Sequence, residues 1–140
     1  MPISARNMFS GILASYSEGP VHTEVAIRTP GGDTVFAVIT STSARRLELV
    51  VGMPVKALVK APDVMVMVDE AGLRLSARNQ LAGTVSEVKR GAVSASVAIE
   101  LPGGSRVHAI VTNAAADELH LVPGVAATAV FKAGSVMVAV

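Results

Sequence analysis

Cysteine and tryptophan are absent from this 140-residue chain, and aromatic residues make up only 3% of it. Without cysteine there is no disulfide and no thiolate metal site, a composition that suits a reducing compartment. The four aromatics (Phe9, Tyr16, Phe36 and Phe131) are too few for a base-stacking platform. Charge is also scarce: 16% of residues carry one, and 12 basic against 11 acidic side chains leave a net +1. That balance argues against a basic nucleic-acid-binding block. No run approaches the ~20 apolar residues of a membrane helix. Arg6 and Asn7 interrupt the N-terminal segment before it reaches signal-peptide length. The expectation is a cytoplasmic chain with neither nucleic acid nor membrane as partner.

What the chain does have is a repeat. Ser4-Ala5-Arg6-Asn7 returns as Ser76-Ala77-Arg78-Asn79, and the offset of 72 holds without a gap to the end, with 28 identities over 68 positions. Pro30-Gly31-Gly32 meets Pro102-Gly103-Gly104, Lys60-Ala61 meets Lys132-Ala133, and Val64-Met65-Val66 meets Val136-Met137-Val138. The organisation is thus a unit at 1–68, a linker at 69–72 and a second unit at 73–140. Units of that size have little interior. With 51% hydrophobic residues, they are expected to bury their excess apolar surface against each other, against other subunits, or against both.

Within each unit the pattern predicts three strands, a short helix and two more strands. Residues 8–17 read as a first strand, with Gly11 at a bend or bulge. Val21, Thr23, Val25 and Ile27 alternate with polar neighbours, and residues 29–33 form a hairpin turn. Ser41 and Asn113 are the expected helix N-caps, with Thr40 and Thr112 ending the preceding strands. Gly52 and Gly124 are expected to close the helical segments. Met65 and Met137, set among valines, are assigned to the core. The order β-β-β-α-β-β is that of the OB-fold. The fold class is therefore all-β: two OB-fold-like five-stranded Greek-key barrels in tandem, each with one short helix.

Comparing the chain with itself also filters its polar residues. Only Ser4/Ser76, Arg6/Arg78, Asn7/Asn79, Thr40/Thr112 and Lys60/Lys132 occur in both copies. The asparagines are expected to hold turns through backbone hydrogen bonds. Serine, arginine and lysine together offer a hydroxyl, a fork of N–H groups and a point charge, a donor set suited to an oxyanion. It is a poor set for a bare cation, which needs carboxylate, imidazole or thiolate. His22, His108 and His120 align with Ser94, Phe36 and Glu48, so no histidine recurs, and no carboxylate recurs either. An acid–base pair would exist in one copy only, which argues against an enzyme.

The Ser-Ala-Arg-Asn motif, the glycine four residues after it, and the terminal Lys-Ala-x-x-Val-Met-Val resemble the molybdate-binding Mop domain. The tandem arrangement is similar to that of the molbindins, which hold two such domains. The resemblance implies cytoplasmic storage of molybdate, or similarly tungstate, as bound ligand, with no organic cofactor. It implies a homotrimer of six units with anions where units meet. By motif, Ser4, Ala5, Arg6, Lys60 and Ala61 would serve the first copy's sites. Ser76, Ala77, Arg78, Lys132, Ala133 and Ser135 would serve the second's. Further anion sites on the threefold axis would fall at Val21 and His22 and at Val93 and Ser94. After Lys-Ala the copies part, with Pro62-Asp63 in one and Gly134-Ser135 in the other. Proline has no N–H and a carboxylate repels a dianion, so the two sites are expected to differ. Family members that regulate transcription or power transport carry additional domains for which these 140 residues leave no room, so storage or buffering is the expected role. The alternatives are an OB-fold module that only oligomerises, or one that binds single-stranded nucleic acid.

Overall fold

The computed structural model describes residues 3–68 and 73–140; the linker expected at 69–72 lies outside the described residues. The first half forms β1 (Asn7–Glu18), β2 (His22–Arg28), β3 (Thr34–Thr40), α1 (Ser41–Arg46), β4 (Pro54–Val59) and β5 (Met65–Met67). The second half repeats this as β6 (Asn79–Arg90), β7 (Ser94–Glu100), β8 (Arg106–Thr112), α2 (Asn113–Glu118), β9 (Ala126–Phe131) and β10 (Met137–Ala139). A single 3₁₀ turn, Ala61–Asp63 or Ala133–Ser135, precedes each last strand. Period-two alternation sends Val25, Ile27, Val35 and Ala37 inward, all fully buried, and Val97, Ile99, Val107 and Ala109 do the same in the second half. Fully burying each valine or isoleucine contributes roughly 1.5–3 kcal/mol.

Two five-stranded antiparallel sheets result, and neither is made from one half alone. Their orders are β10-β4-β1-β2-β3 and β5-β9-β6-β7-β8. Each half gives its last strand to the other: Met137–Ala139 pairs with Leu58–Lys56, and Met65–Met67 pairs with Val130–Thr128. The donated β10 lies beside β3 as well as β4, so the first barrel closes on a strand from the second half. This exchange also exposes the two methionines assigned to the core. Met65 is 54% and Met137 56% exposed, because the alternation turns Val66 and Val138 inward and the methionines out.

The long first strand of each half serves two neighbours. Residues 7–12 of β1 pair with β4, and residues 12–18 pair with β2. A register shift between Leu13 and Ser15, matched between Val85 and Glu87, bends the strand where it changes partner. The bulge therefore lies beyond Gly11, not at it. Gly11 and Gly83 recur for a different reason: a Cβ there would drive into the carbonyl oxygen of Arg28 or Glu100 on the facing strand. The two Pro-Gly-Gly hairpin tips meet as well. A Cβ on Gly103 would strike the Gly31 carbonyl, so the turns touch backbone to backbone across the halves.

The helix caps are one residue earlier than expected. Thr40 and Thr112 are the N-caps, their hydroxyls accepting from the N–H of Ser43 and Ala115 at 3.1 Å. Ser41 instead donates its hydroxyl to the Gly19 carbonyl at 2.6 Å, and Asn113 reaches the Gly91 carbonyl with its amide at 2.9 Å. Different side chains thus tie each helix start to the same turn. The helices also stop before Gly52 and Gly124, at Arg46 and Glu118, and Glu48 and His120 take the left-handed conformation beyond them.

Exchange of strands has a mechanical consequence. If a protease site is placed in 69–72 and cut, the halves should stay together, since separation requires stripping β5 and β10 from their sheets. Native size-exclusion chromatography of the cut protein is expected to give the elution volume of the intact one. Two half-sized species would mean the halves hold together only through the covalent linker.

Candidate functional site

The recurring polar residues gather at one end of each β1–β4 or β6–β9 ladder. Asn7 faces Val59 in the last pair of one ladder, and Asn79 faces Phe131 in the other. The residues next outward from these end pairs are Arg6 and Lys60 in the first half, and Arg78 and Lys132 in the second. The ladders thereby bring the chain segments that carry Ser-Ala-Arg and Lys-Ala, 54 residues apart in sequence, to the same end of a strand pair within a single half. Ser4, Arg6 and Lys60 are exposed, as are Ser76, Arg78 and Lys132, while Ala61 and Ala133 are buried beneath the turns that follow the lysines.

The asparagines hold no turn. Each is 1% exposed and reaches across to the third strand of the other half. Asn79 accepts from the Phe36 N–H and donates to the Phe36 carbonyl, both at 2.8 Å. Asn7 does the same to His108, at 2.7 and 2.8 Å. Phe36 and His108 turn these groups away from β2 and β7, and the amide side chain satisfies them as a neighbouring strand would. This bond fixes the Ser-Ala-Arg segment of one half against the sheet face of the other.

That face differs between the two sites. Ala26 faces Phe36 and Glu24 faces Val38, so Glu24 and Phe36 share one face of the β2–β3 pair. Arg78 stacks on the Phe36 ring at 4.0 Å and grips Glu24 with both edges of its fork, Nη2 to Oε1 at 2.6 Å and Nε to Oε2 at 3.3 Å. This bond raises the already high pKa of Arg78. Ser96 and His108 occupy the corresponding positions opposite Arg6, which has no ion-pair partner among the described residues. Burial lowers the His108 pKa, and the Arg6 and Arg106 charges lower it further against a smaller opposing effect of Glu87. The second-half approach is also stapled, Gln80 donating to the Ala77 carbonyl at 3.0 Å; Met8 stands in its place in the first half.

Beside the second-half turn lies a groove of about 510 Å³ lined by His22, Thr40, Ser43 and Arg46 from one half and Gly134 and Met137 from the other. His22 and Gly134 of the turn after Lys132, which sequence reasoning assigned to separate regions, border the same groove. Ser135 is half-buried, its N–H given to the Lys132 carbonyl. Val21 and Val93 are 65% and 77% exposed, and their carbonyls accept the first N–H of α1 and α2. His22 and Ser94 close the same turns by accepting from Gly19 and Gly91. Glu24, Phe36, Ser96 and His108 were missed by reading the sequence, because none of them recurs in the other copy. No group of metal-ligating side chains occurs among the described residues. No helix there is long and apolar enough to cross a membrane.

Comparison with known proteins fits this geometry. The TOBE domain family model matches residues 3–66 and again 75–138. The molybdenum transport protein ModE of Herbaspirillum seropedicae is 49% identical over 140 residues, which is all of this chain and 52% of that protein. The molybdenum-pterin-binding protein MopA of Rhodobacter capsulatus is 37% identical over 139 residues, again 52% of its length. The chain therefore spans about half the length of the curated relatives it matches. The solved structure of ModG, a cytoplasmic molybdate-binding protein with molybdate bound, superposes with a TM-score of 0.97 at 49% identity, covering 100% of this chain and 99% of that one. Two matched domains, the exchanged sheets and the doubled Ser-Ala-Arg-Asn motif lead to one assignment: the chain belongs to the TOBE-domain family, with two such domains of the Mop type in tandem.

Proposed function

We propose that this protein binds molybdate, and similarly tungstate, and holds it in store in the cytoplasm without acting on it chemically. The observation that carries the reading is the twofold recurrence of an exposed serine, arginine and lysine cluster at the seam between the halves. Ser4, Ala5, Arg6, Lys60 and Ala61 form one site, and Ser76, Ala77, Arg78, Lys132, Ala133 and Ser135 the other. Val21, His22, Val93 and Ser94 are the proposed axial positions. The domains run from 1 to 68 and from 73 to 140. A donor-rich set favours a tetrahedral dianion without protons over phosphate, whose protonated oxygen must find an acceptor.

Assembly into a homotrimer of six units is part of the proposal. Val21, Val50, Val51, Met65, Val93, Val122 and Met137 are each more than half exposed, an apolar surface that subunit contacts would cover. The match to ModG from end to end supports both the ligand and the compartment.

Titration calorimetry tests the reading. The wild type should take up molybdate, and Lys132→Ala should bind it about ten- to a hundredfold more weakly through loss of a charge-assisted contact. Unchanged affinity would remove Lys132 from the site, and no uptake by the wild type would remove the function.

A further inference from the structure

The two halves present their arginines in opposite states. Arg6 forms no ion pair among the described residues, whereas Arg78 already holds an anion, the Glu24 carboxylate, in the two-pronged geometry with which guanidinium grips an oxyanion. Asp63, the acidic residue peculiar to the first-half turn, is exposed and forms no ion pair among the described residues. We propose that Glu24 is an affinity-determining residue: it competes internally for the Arg78 fork and makes the second-half site the weaker of the two for a dianion. This rests on the oxyanion-binding reading above.

The physical case has three parts. First, two of the N–H groups that a bound oxyanion would take are engaged by Glu24, so binding must displace the carboxylate or make do with what remains. Second, a carboxylate left nearby repels a dianion, and no such charge stands at Ser96. Third, Arg78 does not need Glu24 to stay in place. Its guanidinium carbon sits 4.0 Å over the Phe36 ring, and both the N–H and the carbonyl of Phe36 are held by Asn79. Removing the carboxylate therefore frees the fork without loosening it. The pair is exposed, with side chains 51% and 39% accessible, so it is weak enough to yield to ligand and sensitive to salt.

The full chain should be titrated with sodium molybdate in a calorimeter at low ionic strength. The wild type is expected to show two classes of sites. Glu24→Gln and Glu24→Ser should each tighten the weaker class about tenfold and leave the stronger one unchanged. Ser96→Glu, which installs the competitor opposite Arg6, should weaken the stronger class by a similar factor. Added salt should narrow the gap between classes in the wild type. A single class in the wild type, or Glu24 variants with unchanged or weaker binding, would overturn the proposal while leaving oxyanion binding intact. No heat from the wild type at all would overturn the oxyanion reading itself, and this inference with it.

Discussion

Asn79→Ala is expected to lower folding stability by about 2–6 kcal/mol, since it leaves two polar groups unpaired at about 1–3 kcal/mol each. The amide is 1% exposed and is the partner of both the N–H and the carbonyl of Phe36. Alanine leaves two groups of the β3 edge facing a void too enclosed for free hydration. It also loosens the seam that sets Arg78 over Phe36. In a chain of this size the change corresponds to a fall in Tm of roughly 8–24 °C. Asn79→Asp should be at least as damaging at neutral pH, because it buries an ionised carboxylate and turns one of its oxygens on the Phe36 carbonyl, acceptor against acceptor. Asn7→Ala should behave alike, through His108. Thermal and urea melts check this, and a Tm within 2 °C of wild type (the scale of a ~0.5 kcal/mol change) would show that water replaces the amide.

Saturating molybdate is expected to raise Tm by several degrees. Each proposed site draws on two cations, Arg6 and Lys60 or Arg78 and Lys132, carried by segments that meet at the end of a ladder. A dianion can engage both only in the folded protein. A ligand that binds only the folded state stabilises it by about 2.7 kcal/mol per site at a hundredfold excess over Kd. Chloride at matched ionic strength separates this from general screening. The double variant Lys60→Ala/Lys132→Ala should lose most of the shift while keeping its Tm without ligand, since neither lysine forms an ion pair among the described residues. A wild-type Tm unmoved by saturating molybdate would place the anion away from this seam.

Those two expectations draw on different information. The clusters were legible in the chain because duplication repeats them: a residue kept in both copies at a fixed offset stands out without any knowledge of the fold. The strands were legible for a similar reason, since alternation of apolar side chains is a local property. Residues whose role depends on a partner from the other half were misread. Asn7 and Asn79 looked like turn residues because their bonds to His108 and Phe36 span 101 and 43 positions. Met65 and Met137 looked like core because their neighbours are valines, yet which face of an edge strand turns outward is set by the sheet it joins. Thr40 and Ser41 are both good caps by composition, and the competing bond from Ser41 to Gly19 settles which one caps.

By itself, then, the sequence determined the duplication, the number and order of elements in each copy, and the recurring serine, arginine and lysine clusters. All of these follow from short-range periodicity or from identity at one offset. Only the tertiary structure decided which half completes which sheet. Identical copies present identical strand edges, so the local pattern cannot distinguish pairing within a copy from exchange between copies. It alone also decided that the two clusters are unequal. Glu24 and Phe36 meet Arg78 from two strands of the other half, where the other copy offers Ser96 and His108 to Arg6. That difference lies in what each motif faces, and the motifs themselves are the same.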